Sequence, residues 1–203
     1  MLDRALLKRP SVEVAPLLLG AVLHGRGVSV RLTEVEAYLG EVDPGSHAFR
    51  GETRRNAVMF GEAGHLYTYF TYGMHVCANV VCSPEGIATA VLLRAGEVVD
   101  GIDLARQRRV TSKTDADLAR GPARLVVALG ISLADNGVDL GSGELTLELA
   151  HRRSPFEQGP RTGVAGPGGT SEYPWRFWIP GDPTVSPYKS SAPKKRGARA
   201  ATL

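Results

Sequence analysis

The stretch HLYTYFTYGMHVCANVVC, His65 to Cys82, decides how the chain folds. His65 to Tyr72 alternates sides as a strand does, Gly73 breaks the run, and Met74 to Cys82 returns as a second strand. Four of the six tyrosines, Tyr38, Tyr67, Tyr69 and Tyr72, fall between residues 38 and 72. In a strand Tyr67 and Tyr69 share one face, and Phe70 and Tyr72 share the other. Because tyrosine favours strands, packing accounts for one of these faces. It does not account for Tyr72-Gly73-Met74 at a turn, where an exposed ring and an apolar tip have little structural purpose. Exposed rings and apolar tips are how proteins stack on bases or wedge between them.

Working outward, Ala21 to His24 and Val28 to Tyr38 flank Gly25, Arg26 and Gly27, the pattern of a hairpin leading into a long strand. Ser11 to Gly20 predicts a helix with a serine N-cap and a glycine stop, kinked or delayed by Pro16. Leu39 to Gly51 (LGEVDPGSHAFRG) is rich in Gly, Pro and Asp and predicts a surface loop of the kind that often carries catalytic groups. Downstream, Ile87 to Glu97 reads as a strand. Asp100 to Arg109 reads as a helix with an acidic start and a cationic end. Gly121 to Leu129 is a second helix with Pro122 in its first turn, and Glu144 to Ala150 and Trp175 to Pro180 are closing strands separated by the Gly-rich stretch Gly159 to Gly169. There is no internal repeat. Strands arrive as adjacent hairpins without βαβ alternation, which predicts an α+β single domain with a curved, largely antiparallel sheet flanked by helices.

The 203 residues, 43% hydrophobic and 22% charged, suffice for one good core and are too few for two ordinary domains. No apolar run is long enough for a membrane span, and MLDRALLKRP lacks the features of a signal peptide. Cys77 and Cys82, the only two cysteines, have a spacing that fits neither a zinc half-site nor a redox pair. A reduced cytoplasmic protein is expected. The net charge of +3 is unevenly spread. From Pro187 onward there are five cations, Lys189, Lys194, Lys195, Arg196 and Arg199, and no acid; of the 24 cations in the chain this leaves 19 against 21 acids in the body. Residues 1–186 are therefore expected to form the functional domain and residues 187–203 a basic, disordered tail.

Several chemistries find no motif. The five histidines form no H-E-x-x-H, no deaminase signature occurs, and no serine sits in a G-x-S-x-G elbow. Gly163-Val-Ala-Gly-Pro-Gly-Gly169 superficially resembles a phosphate loop but lacks Lys-Ser/Thr and the strand and helix around it. No metal or cofactor is expected. Glu34 and Glu36 lie two apart on a predicted strand and so share a face, and an acid in a half-buried strand usually faces water. Glu36 stands out by position, two residues before Tyr38 and just ahead of the loop that contains His47. Arg94 interrupts Ala90-Val-Leu-Leu93, where it needs a carboxylate, a phosphate or a route to water. A structural ion pair is its plain reading.

Taken together, Glu-Val-Glu36-Ala-Tyr38-Leu-Gly40, Asp43-Pro-Gly-Ser-His47, Arg55-Asn56-Ala-Val-Met-Phe60, His65 through His75, Asn79 and Val91-Leu-Leu-Arg94-Ala closely resemble the alkyladenine (3-methyladenine) DNA glycosylase family. Gly121-Pro-Ala-Arg-Leu125 and Arg176-Phe-Trp-Ile-Pro-Gly181 resemble its later motifs, so the likeness covers nearly the whole body. The resemblance implies that Glu36 is the general base that activates the attacking water, with Arg94 and the backbone near Val164 holding that water. It implies that Tyr38, His47 and Tyr69 enclose a flipped purine, that Asn79 lies at the pocket floor and disfavours normal guanine, and that Tyr72 with Met74 fills the gap left in the duplex. The partner would be double-stranded DNA carrying a damaged purine, such as an alkylated purine or hypoxanthine. The enzyme would act as a monomer in the cytoplasm, nucleoid-associated if bacterial.

Independent chemistry agrees. Extruding a base costs a few kcal/mol, which a plug and an aromatic pocket offset. One carboxylate suffices when N-alkylation has already made the purine a good leaving group. Only Lys8 and Lys113 lie outside the tail, neither in a site motif, so no Schiff-base nucleophile is expected and the enzyme should be monofunctional. Two rivals remain: a non-catalytic DNA-binding module, which would not demand Glu36 together with Arg94, and an enzyme of free nucleosides, which would leave Tyr72 and Met74 unexplained.

Overall fold

The computed structural model describes residues 2–71 and 73–191, and its centre is a long strand. Val22–Gly25 (β1) and Val28–Tyr38 (β2) pair antiparallel with Gly25 opposite Val28. Arg26 and Gly27 between them have φ of 49° and 80°, the two-residue turn whose twist matches that of the strands. Leu66–Thr71 (β3) and His75–Cys82 (β4) form the expected aromatic hairpin. Thr89–Asp100 (β5) runs beside both β4 and β2. Leu145–Glu148 (β6), Glu157–Gly159 (β7) and Arg176–Trp178 (β8) complete the sheet.

The strand order is β3-β4-β5-β2-β1-β6, with β8 joined to β2 past the end of β1 and β7 joined to β8. Every named pair is antiparallel. The sheet curls into a half-barrel, and the fold is the expected α+β single domain. Among the described residues no helix is long and apolar enough to cross a membrane.

The helices are Arg4–Leu7 (α1), Ser11–Val14 (α2), Ile102–Arg108 (α3) and Pro122–Leu129 (α4). The amphipathic α4 buries Leu125, Val126, Ala128 and Leu129 against the sheet. It ends where the N–H groups of Gly130 and Ile131 turn back to the carbonyls of Val127 and Val126, with Gly130 at φ 69°, a left-handed cap that glycine takes without steric penalty. The expected helix over 11–20 is shorter. After α2 the chain tightens into a 3₁₀ turn at Ala15–Leu17, around the N–H that Pro16 lacks. Pro10 occupies the N-cap, and Ser11 instead donates its hydroxyl to Tyr38 O at 2.8 Å.

Two departures from the sequence pattern shape the site. First, β2 is covered on both faces: only Arg31 and Tyr38 along it are not fully buried. One face meets the main aliphatic core; on the other, Arg94, Arg176 and Ser186 cover Glu34, and Tyr38, Thr162 and Arg94 cover Glu36. Glu34 and Glu36 therefore face no solvent. Second, the β2–β5 ladder is bulged: Leu32, Glu34 and Val35 stand opposite Gly96, Ala95 and Leu93, so Thr33 and Arg94 are skipped. Bulges re-aim side chains and recur beside active sites.

Contacts to the body run up to and past residue 186. Thr184 bonds hydroxyl to hydroxyl with Thr33 at 2.8 Å, the Arg176 guanidinium lies 5.8 Å from the Tyr188 ring centre, and Lys189 O accepts the Gly163 N–H at 2.9 Å. Tyr188 and Lys189 therefore touch the body while staying exposed. Residues 192–203, the rest of the expected tail, lie outside the described residues.

Candidate active site

The curl of the sheet, the loop after β2 and the Gly-rich segment 159–169 enclose a cavity of about 370 Å³. Seven residues singled out from the sequence line it: Glu36, Tyr38, His47, Tyr69, Asn79, Arg94 and Val164. They come from β2, β3, β4, β5 and two loops. Met74 does not line it; it is 70% exposed beside Gly73 at the tip of the β3–β4 hairpin. His75 and Thr71 at the base of that tip do line the cavity. Tyr72 lies outside the described residues.

Glu36 is wholly buried. Its Oε1 accepts the Thr162 N–H at 2.7 Å and lies 3.4 Å from Nη1 of Arg94; its Oε2 accepts the Tyr38 hydroxyl at 2.9 Å. An ionised carboxylate offers about four acceptor positions, so the group is oriented with capacity left over. Arg94 is anchored elsewhere, through Nε to Glu34 Oε1 at 2.8 Å. Burial raises the Glu34 carboxyl, but Arg94 and Arg176 outweigh it and bring it below its usual range. Burial alone would lower the Arg94 guanidinium, and the charges of Glu36 and Glu34 reverse that and keep it a cation.

The aromatic wall is built by β3. Tyr67 and Tyr69 stack with ring centres 5.7 Å apart, and His47 meets Tyr69 edge-on at 4.5 Å. His47 Nδ1 lies 3.3 Å from the Tyr67 hydroxyl. Burial and the nearby Arg55 push His47 below its ordinary value, so near pH 7 its ring is neutral and offers one donor and one acceptor. Burial pushes the Tyr67 phenol up to about 12 and raises Tyr69 and Tyr38 further. These rings stay protonated and can donate. Asn79, nearly buried on β4, donates Nδ2 to Tyr67 O at 3.1 Å. Cys77 on β4 also lines the cavity, its thiol raised by burial.

Sequence reasoning missed what fixes the loops. Arg161 is fully buried and forms a two-pronged pair with Asp43 at 2.6 and 2.7 Å. It also donates to Ala37 O and Gly168 O, and its guanidinium lies 4.5 Å from the Tyr38 ring centre and 5.2 Å from that of Trp175. Asp43 accepts the N–H groups of Leu39 and Gly45 besides. The glycines of 163–169 serve close packing: a Cβ on Gly169 would sit 1.9 Å from Val164 O, and one on Gly168 would sit 2.5 Å from Gly45 N. The one available sequence signal was a charged residue, Arg161, standing alone in that Gly-rich stretch. Thr162, whose N–H orients Glu36, carried no signal, since a backbone donor has no residue signature.

The model of the family described as methylpurine-DNA glycosylase matches residues 5–183. Among curated relatives, a protein of Leifsonia xyli subsp. xyli named "Putative 3-methyladenine DNA glycosylase" is 61% identical over 188 residues, covering 88% of each chain. A Streptomyces avermitilis protein of the same name is 54% identical over 205 residues, covering 96% of this chain and 95% of its own. One from Nocardia farcinica, also so named, is 53% identical over 190 residues, 89% of this chain and 88% of its own.

Proposed function

Because the chain belongs to the methylpurine-DNA glycosylase family, hydrolytic DNA N-glycosylases of base excision repair, we propose that it flips a damaged purine out of duplex DNA into the cavity beside Glu36. There it hydrolyses the glycosidic bond with a water that Glu36 activates. The observation that carries this reading is the state of Glu36: buried, lining the cavity, and oriented by the Thr162 N–H and the Tyr38 hydroxyl with acceptor capacity to spare. A carboxylate that is oriented but not saturated suits a general base.

In the step itself, the water oxygen forms a bond to C1′ as the C1′–N bond to the purine breaks, and the water proton passes to Glu36. An N-alkylated purine is cationic and departs neutral as it takes the bonding pair. A neutral lesion such as hypoxanthine needs a proton as it leaves. Tyr38, Tyr69 and neutral His47 would hold the purine by stacking and hydrogen bonding, Arg94 and the backbone at Val164 would hold the water, and Asn79 would disfavour guanine. The exposed Met74, with Tyr72 two residues before it in sequence, would fill the space the purine vacates, which offsets unstacking. Among the described residues no lysine lines the cavity, in keeping with hydrolysis to an abasic site without strand cleavage. The reading is of a single copy acting on double-stranded DNA.

The test is release of methylated purine from a single-lesion duplex by the wild type and by Glu36→Gln, with and without alkali. The variant should bind the damaged duplex and fail to excise. Full activity in Glu36→Gln removes it from the base role, and strand breaks without alkali overturn the monofunctional reading.

A further inference from the structure

Glu34 and Glu36 stand two residues apart on β2 and are both wholly buried, yet only Glu36 lines the cavity. The acceptor groups of Glu34 are occupied differently. Its Oε1 accepts from Arg94 Nε at 2.8 Å and Arg176 Nε at 2.7 Å, and its Oε2 accepts the Ser186 N–H at 2.7 Å. Ser186 closes the cluster further, its carbonyl accepting from Arg176 at 2.9 Å and its hydroxyl lying 3.4 Å from Arg94 Nη2. Against these contacts, Arg94 approaches Glu36 only to 3.4 Å.

We propose that Glu34 is a positioning residue for the glycosylase site, anchoring Arg94 so that its guanidinium turns an edge toward Glu36 and the cavity without closing a two-pronged pair on Glu36. The inference rests on the reading of Glu36 as the base. Arginine readily forks onto both oxygens of a carboxylate, and a fork on Glu36 would occupy the acceptor positions the water needs. The bulge that skips Arg94 places its side chain between the two acids, and Glu34 decides which of them binds it through Nε. Arg176 and the segment through Ser186 hold Glu34 in turn. This goes beyond an ordinary buried ion pair: the function of the contact is to keep a second carboxylate unsaturated.

The charges around Glu36 define the test. Tyr38 and Glu34 approach from β2, Tyr69 from β3, Cys77 from β4, Arg94 from β5, and Arg161 from the Gly-rich segment. In Glu34→Gln, Glu36 loses its negative neighbour and gains an unanchored guanidinium. Single-turnover release from a duplex carrying one methylated purine should slow by about 100-fold, as for a misplaced catalytic group. The acidic limb of its pH–rate profile should move to lower pH. Because that variant leaves Arg176 unpaired, Glu34→Gln/Arg176→Gln is measured beside it, with melting temperature and damaged-duplex affinity. The double variant restores charge balance but not the anchor, so it should fold, bind and remain slow. Release at the wild-type rate by the double variant would reduce Glu34 to a counter-charge for Arg176 and overturn the proposal, as would an unmoved rate and acidic limb in Glu34→Gln. Failure of the reading beneath it looks different: Glu36→Gln would then excise as well as the wild type.

Discussion

Two buried carboxylate–arginine pairs lie on either side of Tyr38, and they are built oppositely. In the loop region, Asp43 and Arg161 have no exposed side-chain surface and meet through two short bonds, with backbone donors and acceptors filling the remaining positions. In the cavity region, Glu36 and Arg94 meet at 3.4 Å, and each has its principal partners elsewhere. A saturated pair can only hold something in place. A pair kept apart can still take a water molecule, so saturation, more than burial or charge, separates the structural pair from the one proposed to react.

The comparison breaks if the two regions respond alike to mutation. Glu36→Gln should cut excision by about 10²- to 10⁴-fold while leaving the melting temperature nearly unchanged. Asp43→Ala strands Arg161 in the interior and should cost about 3–5 kcal/mol of stability, read by denaturant unfolding. A loss of excision in Asp43→Ala without a loss of stability would show that the loop pair has a chemical role after all.

Finer tests sharpen it. Tyr38→Phe removes a hydroxyl that donates to Glu36 at 2.9 Å; the lost bond to a charged group is worth about 1.5–3 kcal/mol and should appear in the excision rate more than in duplex affinity. Glu34, held below its usual 4.5 by Arg94 and Arg176 against its burial, contributes stability above that value. That stability is lost as pH falls through its lower folded value. Unfolding free energy should therefore decline in acid below about pH 4.5 for the wild type, and less steeply for Glu34→Gln/Arg176→Gln. The smallest effect is expected from deleting residues 192–203. The salt slope of DNA affinity should flatten by about 0.9 for each cation that reached a phosphate, with single-turnover excision unchanged. An unaltered slope would leave that segment with no part in binding.

The hairpins were legible in the sequence because alternation and turn residues are local: Gly25-Arg26-Gly27 and the run around Gly73 announce themselves. So was the cast of cavity residues, through their motif order. What stayed hidden was non-local. Asp43 and Arg161 are 118 positions apart, and Glu34 and Ser186 are 152 apart. Glu34 itself was misplaced by the rule that a strand has one wet face, which fails where β2 is roofed on both sides. The short β7 and α1 carry too few residues for periodicity to register.

The Ser186 N–H on Glu34 and the Lys189 carbonyl under Gly163 also have a consequence for biosynthesis. The strand that bears both acids is made 152 positions before the residue that finishes its surroundings. A chain interrupted or clipped before Ser186 leaves Glu34 short of a donor and Arg94 free to collapse onto Glu36. A chain that lacks Ser186 should thus lose excision even with Glu36 in place.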